Sequence, residues 1–253
     1  MGNIDSHIQM PKCVLKNFVN EYQSFYYYDI ADSKIKMSRP KSLNVQNGYY
    51  SSHVEHTLQQ LVESPFGNIL KYVKKNNFSE PVDMPRDFEN IVLTYFHSLI
   101  ARAPHMYKTI EKNTVYVQFS SDLTETNKHD LAVKLVLGKA KNNSPFKDYI
   151  VTMLVNKTGV PLLLPMSGMY SCGDFICSPI SQSKAIVLVK KYSHLCNELI
   201  EGNLCKVLLV ENESVLHKMN RFAIQAEVSY NRQYVVSVDK ALLEIYLKEM
   251  CLG

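Results

Sequence analysis

Residues 148–165 read DYIVTMLVNKTGVPLLLP. An apolar run from Tyr149 to Val155 meets the turn-forming Asn156-Lys157-Thr158-Gly159, and a second apolar run comes next, ending on Pro165. This pattern predicts a hairpin with a central, mostly buried strand, because a strand covered on both faces carries a continuous apolar run. Before this stretch the apolar residues recur at helical spacing; after it they come in short continuous or alternating runs. The change of period near residue 145 decides the fold class. It predicts an α+β fold, with an N-terminal hairpin and helices packed on a mainly antiparallel sheet from the C-terminal half.

Working toward the N-terminus, Asp122 to about Leu137 reads as a helix with Gly138 as its left-handed cap. A helix from about Pro85 carries Phe88, Ile91, Val92, Tyr95, Phe96 and Leu99 on one face. It should end near Ala103, because Pro104 disfavours helical geometry in the residue before it. Ser52-His53-Val54-Glu55 has the form of a capping box, in which serine and glutamate satisfy each other's free amides. The helix behind it holds Val54, Leu58, Leu61, Val62, Ile69, Leu70 and Val73, and Pro65 predicts a kink or break near Ser64. SFYYYDIADSKIKMS, residues 24–38, reads as two β-prone runs around a polar turn.

Toward the C-terminus, FICSPIS and AIVLVKK supply two strands, followed by a short helix at about 192–201 and a strand at 205–210. Ser214 caps a helix to about Ser229, QYVVSVD forms a strand, and Asp239 caps a last helix at 240–250. The expected organisation is one α+β domain over residues 7–240, a terminal helix at 241–253 packed on it, and residues 1–6 outside the ordered part.

Composition narrows the function classes. The chain has 253 residues with 46% hydrophobic and 21% charged residues, enough to form a packed core without disulfide or metal staples. The net charge of +4 is mild, short of the basic excess of a strong nucleic-acid binder. The small lysine groups read as solvated faces. No stretch approaches the roughly 20 apolar residues of a membrane span, and MGNIDSH lacks the basic and apolar regions of a secretory signal. Six cysteines without a CxxC pair suggest reduced thiols and a cytoplasmic location. The eight histidines form no HExxH, and neither a Walker loop, GxGxxG nor GxSxG occurs. No metal or other cofactor is expected.

Several motifs then fall into a known order. The chain opens HIQMPKCVLKNF, with His7, Pro11, Leu15 and Phe18. FYYYDI and NGYYSSHVE come next, leading to a helix that carries Glu55 and Glu63. A later helix ends in Arg102-Ala103-Pro104. PLLLPMSG, FICSPISQSKAIVL and HKMNRFAIQAEVSYNRQYVVS come after it. Over residues 7–240 the chain resembles an uncharacterised, mainly prokaryotic family, domain of unknown function 4238. That family opens with His, Pro, Leu and Phe, ends a helix in Arg-Thr-Pro, and carries a Ser-Asp motif in its central segment. Here the aligned place reads Pro165-Met166-Ser167-Gly168, without the aspartate; Asp174 could replace it only if the loop folds back.

The resemblance implies His7, Arg102 and Asn220 as catalytic candidates and Glu55, Glu63 and Asp174 as ligand-binding candidates. Each also has a structural reading. His7 is either a histidine bonded to a backbone carbonyl or an acid–base group. Arg102 either complements a helix dipole or turns inward to hold a phosphate or carboxylate. Glu55 is the capping-box partner, with Glu63 eight residues later on roughly the same face. Asn220, a poor interior helix residue, is either exposed or in a polar contact. Val14, Leu15 and Phe18 should seek an apolar partner, and the opening stretch is expected to dock on the helix ending at Arg102. Two functions are implied: an enzyme-like effector acting on phosphate or nucleic acid in prokaryotic defence, or a non-catalytic ligand-binding or protein-interaction module with a degenerate site. The implied partners are a phosphate-bearing ligand, nucleic acid or a protein, and no membrane.

Overall fold

The computed structural model describes residues 5–78, 84–103, 106, 125–140, 144–200, 207–229 and 234–251. In chain order these residues form β1 (Asp5–His7), α1 (Lys12–Leu15), β2 (Phe25–Asp29), β3 (Lys34–Ser38), β4 (Val45–Asn47), α2 (Ser52–Leu58), a π-helical turn (Gln59–Glu63), α3 (Ser64–Lys75), α4 (Phe88–Ala101) and α5 (Glu125–Ala140). Then come β5 (Tyr149–Asn156), β6 (Leu164–Pro165), β7 (Tyr170–Cys172), β8 (Phe175–Pro179), β9 (Lys184–Lys190), α6 (His194–Ile200), β10 (Leu208–Val210), α7 (Glu213–Ser229), β11 (Tyr234–Ser237) and α8 (Lys240–Cys251). The fold class is α+β, as the change of period predicts. Two compact units are formed: residues 1–11, 44–75 and 84–147 make the first, and residues 12–43, 76–83 and 148–253 the second.

The first unit is mainly helical. Its core joins Val54, Leu58, Val62, Phe66 and Ile69 of the α2–α3 run to Val92, Tyr95, Phe96 and Leu99 of α4 and to Ala132 and Val133 of α5. Phe66 and Tyr95 stack with centroids 3.7 Å apart. β1 pairs antiparallel with β4, placing His7 opposite Val45; Asp5 and Ser6, expected outside the ordered part, belong to this pair. Met10 is fully buried, and its Sδ accepts a hydrogen bond from the Tyr95 hydroxyl at 3.8 Å, so this part of the opening stretch does meet the helix that leads to Arg102.

Three local expectations are corrected here. Of the kink or break expected near Ser64, the break does not occur: the helix continues through Pro65, with a distorted turn just before Ser64. The ring removes one amide and would clash with the carbonyl four residues back, and a wider turn accommodates it: the Ser64 amide donates to the Gln59 carbonyl, five residues back. The N-cap of α2 is Ser51, not Ser52; its hydroxyl accepts from the Val54 amide at 3.3 Å. A valine three residues into the helix cannot complete a capping box, and the cap amide is taken by Asp130 of α5, whose Oδ1 accepts from Ser51 N at 3.0 Å. Gly138 is no cap, because α5 runs through it to Ala140. The end of α4 agrees with expectation, with Arg102 as C-cap.

The second unit contains two sheets. One has the order β10-β5-β9-β8-β7, antiparallel except for β10 beside β5; the other has the order β3-β2-β11-β6. The predicted hairpin over 148–165 does not form. β5 pairs instead with β9 and β10, and β6 pairs with β11 in the other sheet. The cause is the turn between them. Asn156 closes it on itself, donating to the Val160 carbonyl at 2.7 Å and accepting from the Thr158 amide and hydroxyl. Pro161 and Pro165 bring no amide to a ladder, and the amides between them go elsewhere: Leu162 N donates to the Gln182 carbonyl and Leu163 N to the Asn220 side chain. The apolar run therefore crosses from one sheet to the other. α7 and α8 cover the core with Leu216, Met219, Ala223, Ile224, Leu243 and Tyr246.

Val14, Leu15 and Phe18 are fully buried, and Asn17 Nδ2 donates to the Ile180 carbonyl at 3.0 Å. From Lys12 onward the opening stretch thus belongs to the second unit. α8 begins as predicted, with Asp239 Oδ1 accepting from the Ala241 and Leu242 amides; α7 is instead preceded by Asn212, whose Oδ1 accepts from Ser214 N.

Asp130→Ala removes the carboxylate that holds the Ser51 amide. We expect a loss of about 1–3 kcal/mol, measured by urea denaturation.

Candidate functional site

The six candidate residues fall into two groups. Arg102, Glu55 and Glu63 belong to the first unit. The Arg102 side chain is 1% exposed, and Nη2 donates to Glu63 Oε1 at 2.8 Å. Burial opposes the guanidinium charge, but the glutamates, Glu63 foremost, outweigh it and hold the group above its ordinary range. Tyr50 stays neutral for the complementary reason: burial pushes its hydroxyl up, with Arg102 pulling the other way. The inward reading of Arg102 is therefore correct as to direction, and the carboxylate it holds is the protein's own.

The π turn brings Glu63, which holds Arg102, back toward the helix side that carries Glu55, eight residues earlier. At about 100° per residue, Glu63 would lie roughly 80° around the helix from Glu55. A turn that takes in one extra residue rotates the next stretch of helix back by about that much. Around this cluster, His129 stacks on Tyr49 with centroids 3.8 Å apart, and Tyr50 donates to the Ile8 carbonyl at 3.3 Å. The neighbouring His7 is described only through its backbone, in β1; its side chain lies outside the described residues.

Asn220 and Asp174 belong to the second unit. Asn220 is fully buried, which corrects the exposed reading. Its Oδ1 accepts from Leu163 N at 2.9 Å, and Nδ2 donates to the Pro161 carbonyl at 2.9 Å and the Tyr246 hydroxyl at 3.2 Å. Asp174 is exposed in the β7–β8 turn after Gly173, and its carbonyl accepts from Lys190 N.

A carboxylate does serve the loop at Pro165-Met166-Ser167-Gly168, and it comes from α7. Glu227, fully buried, accepts from the Ser167 amide at 2.9 Å through Oε1. Sequence reading missed it, although the signal was present. Leu216, Met219, Asn220, Ala223, Ile224 and Glu227 share one helical face, and an acid on a mainly apolar stripe needs a partner.

The second unit also contains a cleft of about 500 Å³ lined by Tyr22, Tyr26, Met37 and Arg39, with Asn20 and three serines, Ser24, Ser38 and Ser42. Local hydrogen bonding builds it. Asn20 Oδ1 accepts from the amides of Tyr22 and Ser24 and from the Ser24 hydroxyl, closing a tight loop that leaves Tyr22 74% exposed. The β2–β3 register places Tyr26 opposite Met37, and Ser42 N donates to the Arg39 carbonyl in the turn after β3. Asp29 fixes the far end of this hairpin, accepting from Ala31 N and Lys36 Nζ. A second groove, of about 540 Å³, lies in the first unit along Gln60, Ser64, Asn68, Ile69 and Arg86.

Among the described residues no three His, Cys, Asp or Glu side chains cluster as a metal site, and no helix is long and apolar enough to cross a membrane. Cys13, Cys172, Cys177 and Cys196 are free thiols; burial pushes the Cys172 thiol up to about 12. The chain matches no family model, no curated protein and no solved structure.

Two outcomes test this geometry. Glu63→Ala removes the carboxylate bonded to a buried guanidinium and should cost about 3–5 kcal/mol, most of it recovered in an Arg102→Met, Glu63→Leu double variant, in chemical denaturation. The second concerns His97, which is 3% exposed and has Nδ1 2.6 Å from the Leu93 carbonyl. Burial holds its pKa below the ordinary 6.5, against the pull of that carbonyl. Unfolding therefore takes up a proton, so this contribution to stability is complete above pH 6.5 and shrinks as pH falls below it. A His97→Gln variant should show a flatter loss of stability below pH 6.5 than the parent.

Proposed function

We propose that the protein is a non-catalytic module that binds a phosphate-bearing ligand in the hairpin cleft of the second unit. The observation that carries this reading is the lining of the cleft: a guanidinium, three hydroxyls, an amide and two phenol rings, with no carboxylate. Arginine and hydroxyl donors suit phosphate oxygens, and phenol faces suit a flat ring. A carboxylate in the lining would repel such a ligand. None of these side chains is a ready proton acceptor at neutral pH, so the cleft favours binding over general acid–base chemistry.

The candidates from the resemblance fit the same reading. Arg102 holds Glu63, and Asn220 holds main chain and a tyrosine, so both are engaged by the protein itself. The proposal takes the chain as a degenerate member of the family of unknown function 4238 acting in the cytoplasm. The order of the sequence motifs, the Ser167 loop held by Glu227 and the free thiols support it.

Isothermal titration with inorganic phosphate and with uridine monophosphate tests the proposal. We expect both to bind, the nucleotide more tightly, and Arg39→Ala to weaken both at least tenfold with an unchanged melting temperature. Absence of binding at millimolar ligand overturns the reading; hydrolysis of a phosphate ester that persists in Arg39→Ala supports the enzyme instead.

A further inference from the structure

We infer that the ligand of this cleft is a single strand of nucleic acid, with bases stacked on Tyr22 and Tyr26 and the sugar-phosphate backbone passing Arg39 and Lys41 beside the β3 edge. The inference rests on the phosphate-binding reading above and names the polymer that the site accepts.

The site is open at its rim, where Tyr22 is 74% exposed and Met37 64% exposed. A pocket for a free nucleotide encloses most of its ligand. An exposed tyrosine face at Tyr22, with the half-buried Tyr26 beside it in the cleft and a basic track along it, is instead the arrangement that holds successive bases of a flexible strand, whichever bases they are.

Charge points the same way. Residues 33–44, SKIKMSRPKSLN, contain four basic residues, Lys34, Lys36, Arg39 and Lys41, and no acid. One of the four is held by the protein: Lys36 bonds to both Asp29 and Asp32, and Lys34 lies at the far end of the hairpin, opposite Asp29. Arg39 and Lys41 form no ion pair among the described residues. They lie two residues apart, both exposed, one lining the cleft and one just beyond it. Glu21, beside Tyr22, is the one acid in the stretch from Asn20 to Tyr28.

Topology supplies the path. Among the described residues β3 is the outer strand of its sheet, paired only with β2. Met37 and Ser38 of this edge strand line the cleft, and no described strand lies beyond it, which leaves room for a polymer longer than the cleft itself. An extended acidic peptide has the same charge and could add to that edge, but it has no rings for Tyr22 and Tyr26; it serves as the competing outcome.

Fluorescence anisotropy with a labelled uridine octanucleotide, over a range of salt, tests the inference on the full chain. The octanucleotide should bind at least tenfold more tightly than uridine monophosphate. Two phosphate contacts predict a slope of log affinity against log salt of about −1.4. Lys41→Ala should weaken binding and flatten that slope by about half. Tyr22→Ala should weaken binding tenfold or more without changing the slope, and Tyr22→Phe should restore it, because a stacked ring carries no charge; unchanged melting temperatures verify folding. An octanucleotide no tighter than the monophosphate overturns the inference while leaving the phosphate reading intact; binding of neither overturns both. An octaglutamate that binds as tightly as the octanucleotide, or a Tyr22→Ala variant that binds normally, also overturns it.

Discussion

The second unit depends on what α7 does to the segment from Pro161 to Ser167. Asn220 takes the Leu163 amide and the Pro161 carbonyl, and Glu227 takes the Ser167 amide. Both side chains are fully buried. A buried amide or carboxylate left without partners costs more than its bonds return when satisfied, so these two residues bind the helix face to one placement of the backbone. That placement carries the chain out of the β5 sheet and into the sheet of β6 and β11. The two sheets share one apolar core because a polar pair on a helix makes the crossing specific.

In the first unit the corresponding constraint is steric. Proline at position 65 excludes an ordinary α-helical turn ahead of it, and the chain widens locally instead of stopping. The same widening brings Glu63 to Arg102. A guanidinium with 1% of its side chain exposed is tolerable only beside a carboxylate, so the helix distortion and the buried ion pair are two aspects of one solution. A single acid from α5, Asp130, then fixes where the distorted helix begins.

Elements whose signals are local were legible in the sequence. The β2–β3 hairpin, the end of α4 at Arg102 and the Asp239 cap each depend on residues a few positions apart. The hairpin expected at 148–165 was not legible as what it is, since its apolar runs have partners near residues 184–190 and 235, and periodicity carries no information about which strand a run will find. Ser52 was preferred over Ser51 because the partner of the cap amide lies on another helix. The candidate site was legible in part. Arg102, Glu55 and Glu63 were identified as residues, but the meeting of Glu63 with Arg102 depends on a turn type that no spacing rule anticipates. Glu227 stood on a visible stripe and was passed over in favour of Asp174, which is exposed. The cleft at Tyr22 and Arg39 draws its residues from a loop, a hairpin and a turn, none of which carries a catalytic signature.

The strand that carries three consecutive tyrosines, β2, has its local partner β3 on one side and β11 on the other, where Asp29 faces Tyr234. During synthesis the hairpin can close as soon as residue 38 has left the ribosome, whereas β11 is made only after most of the chain. Until then β2 presents an unpaired edge, FYYYD, with strong strand propensity and a single charge. Nascent chains and fragments that stop short of residue 234 therefore lack the strand that covers this edge of β2, and a strand edge of this composition favours association with other chains.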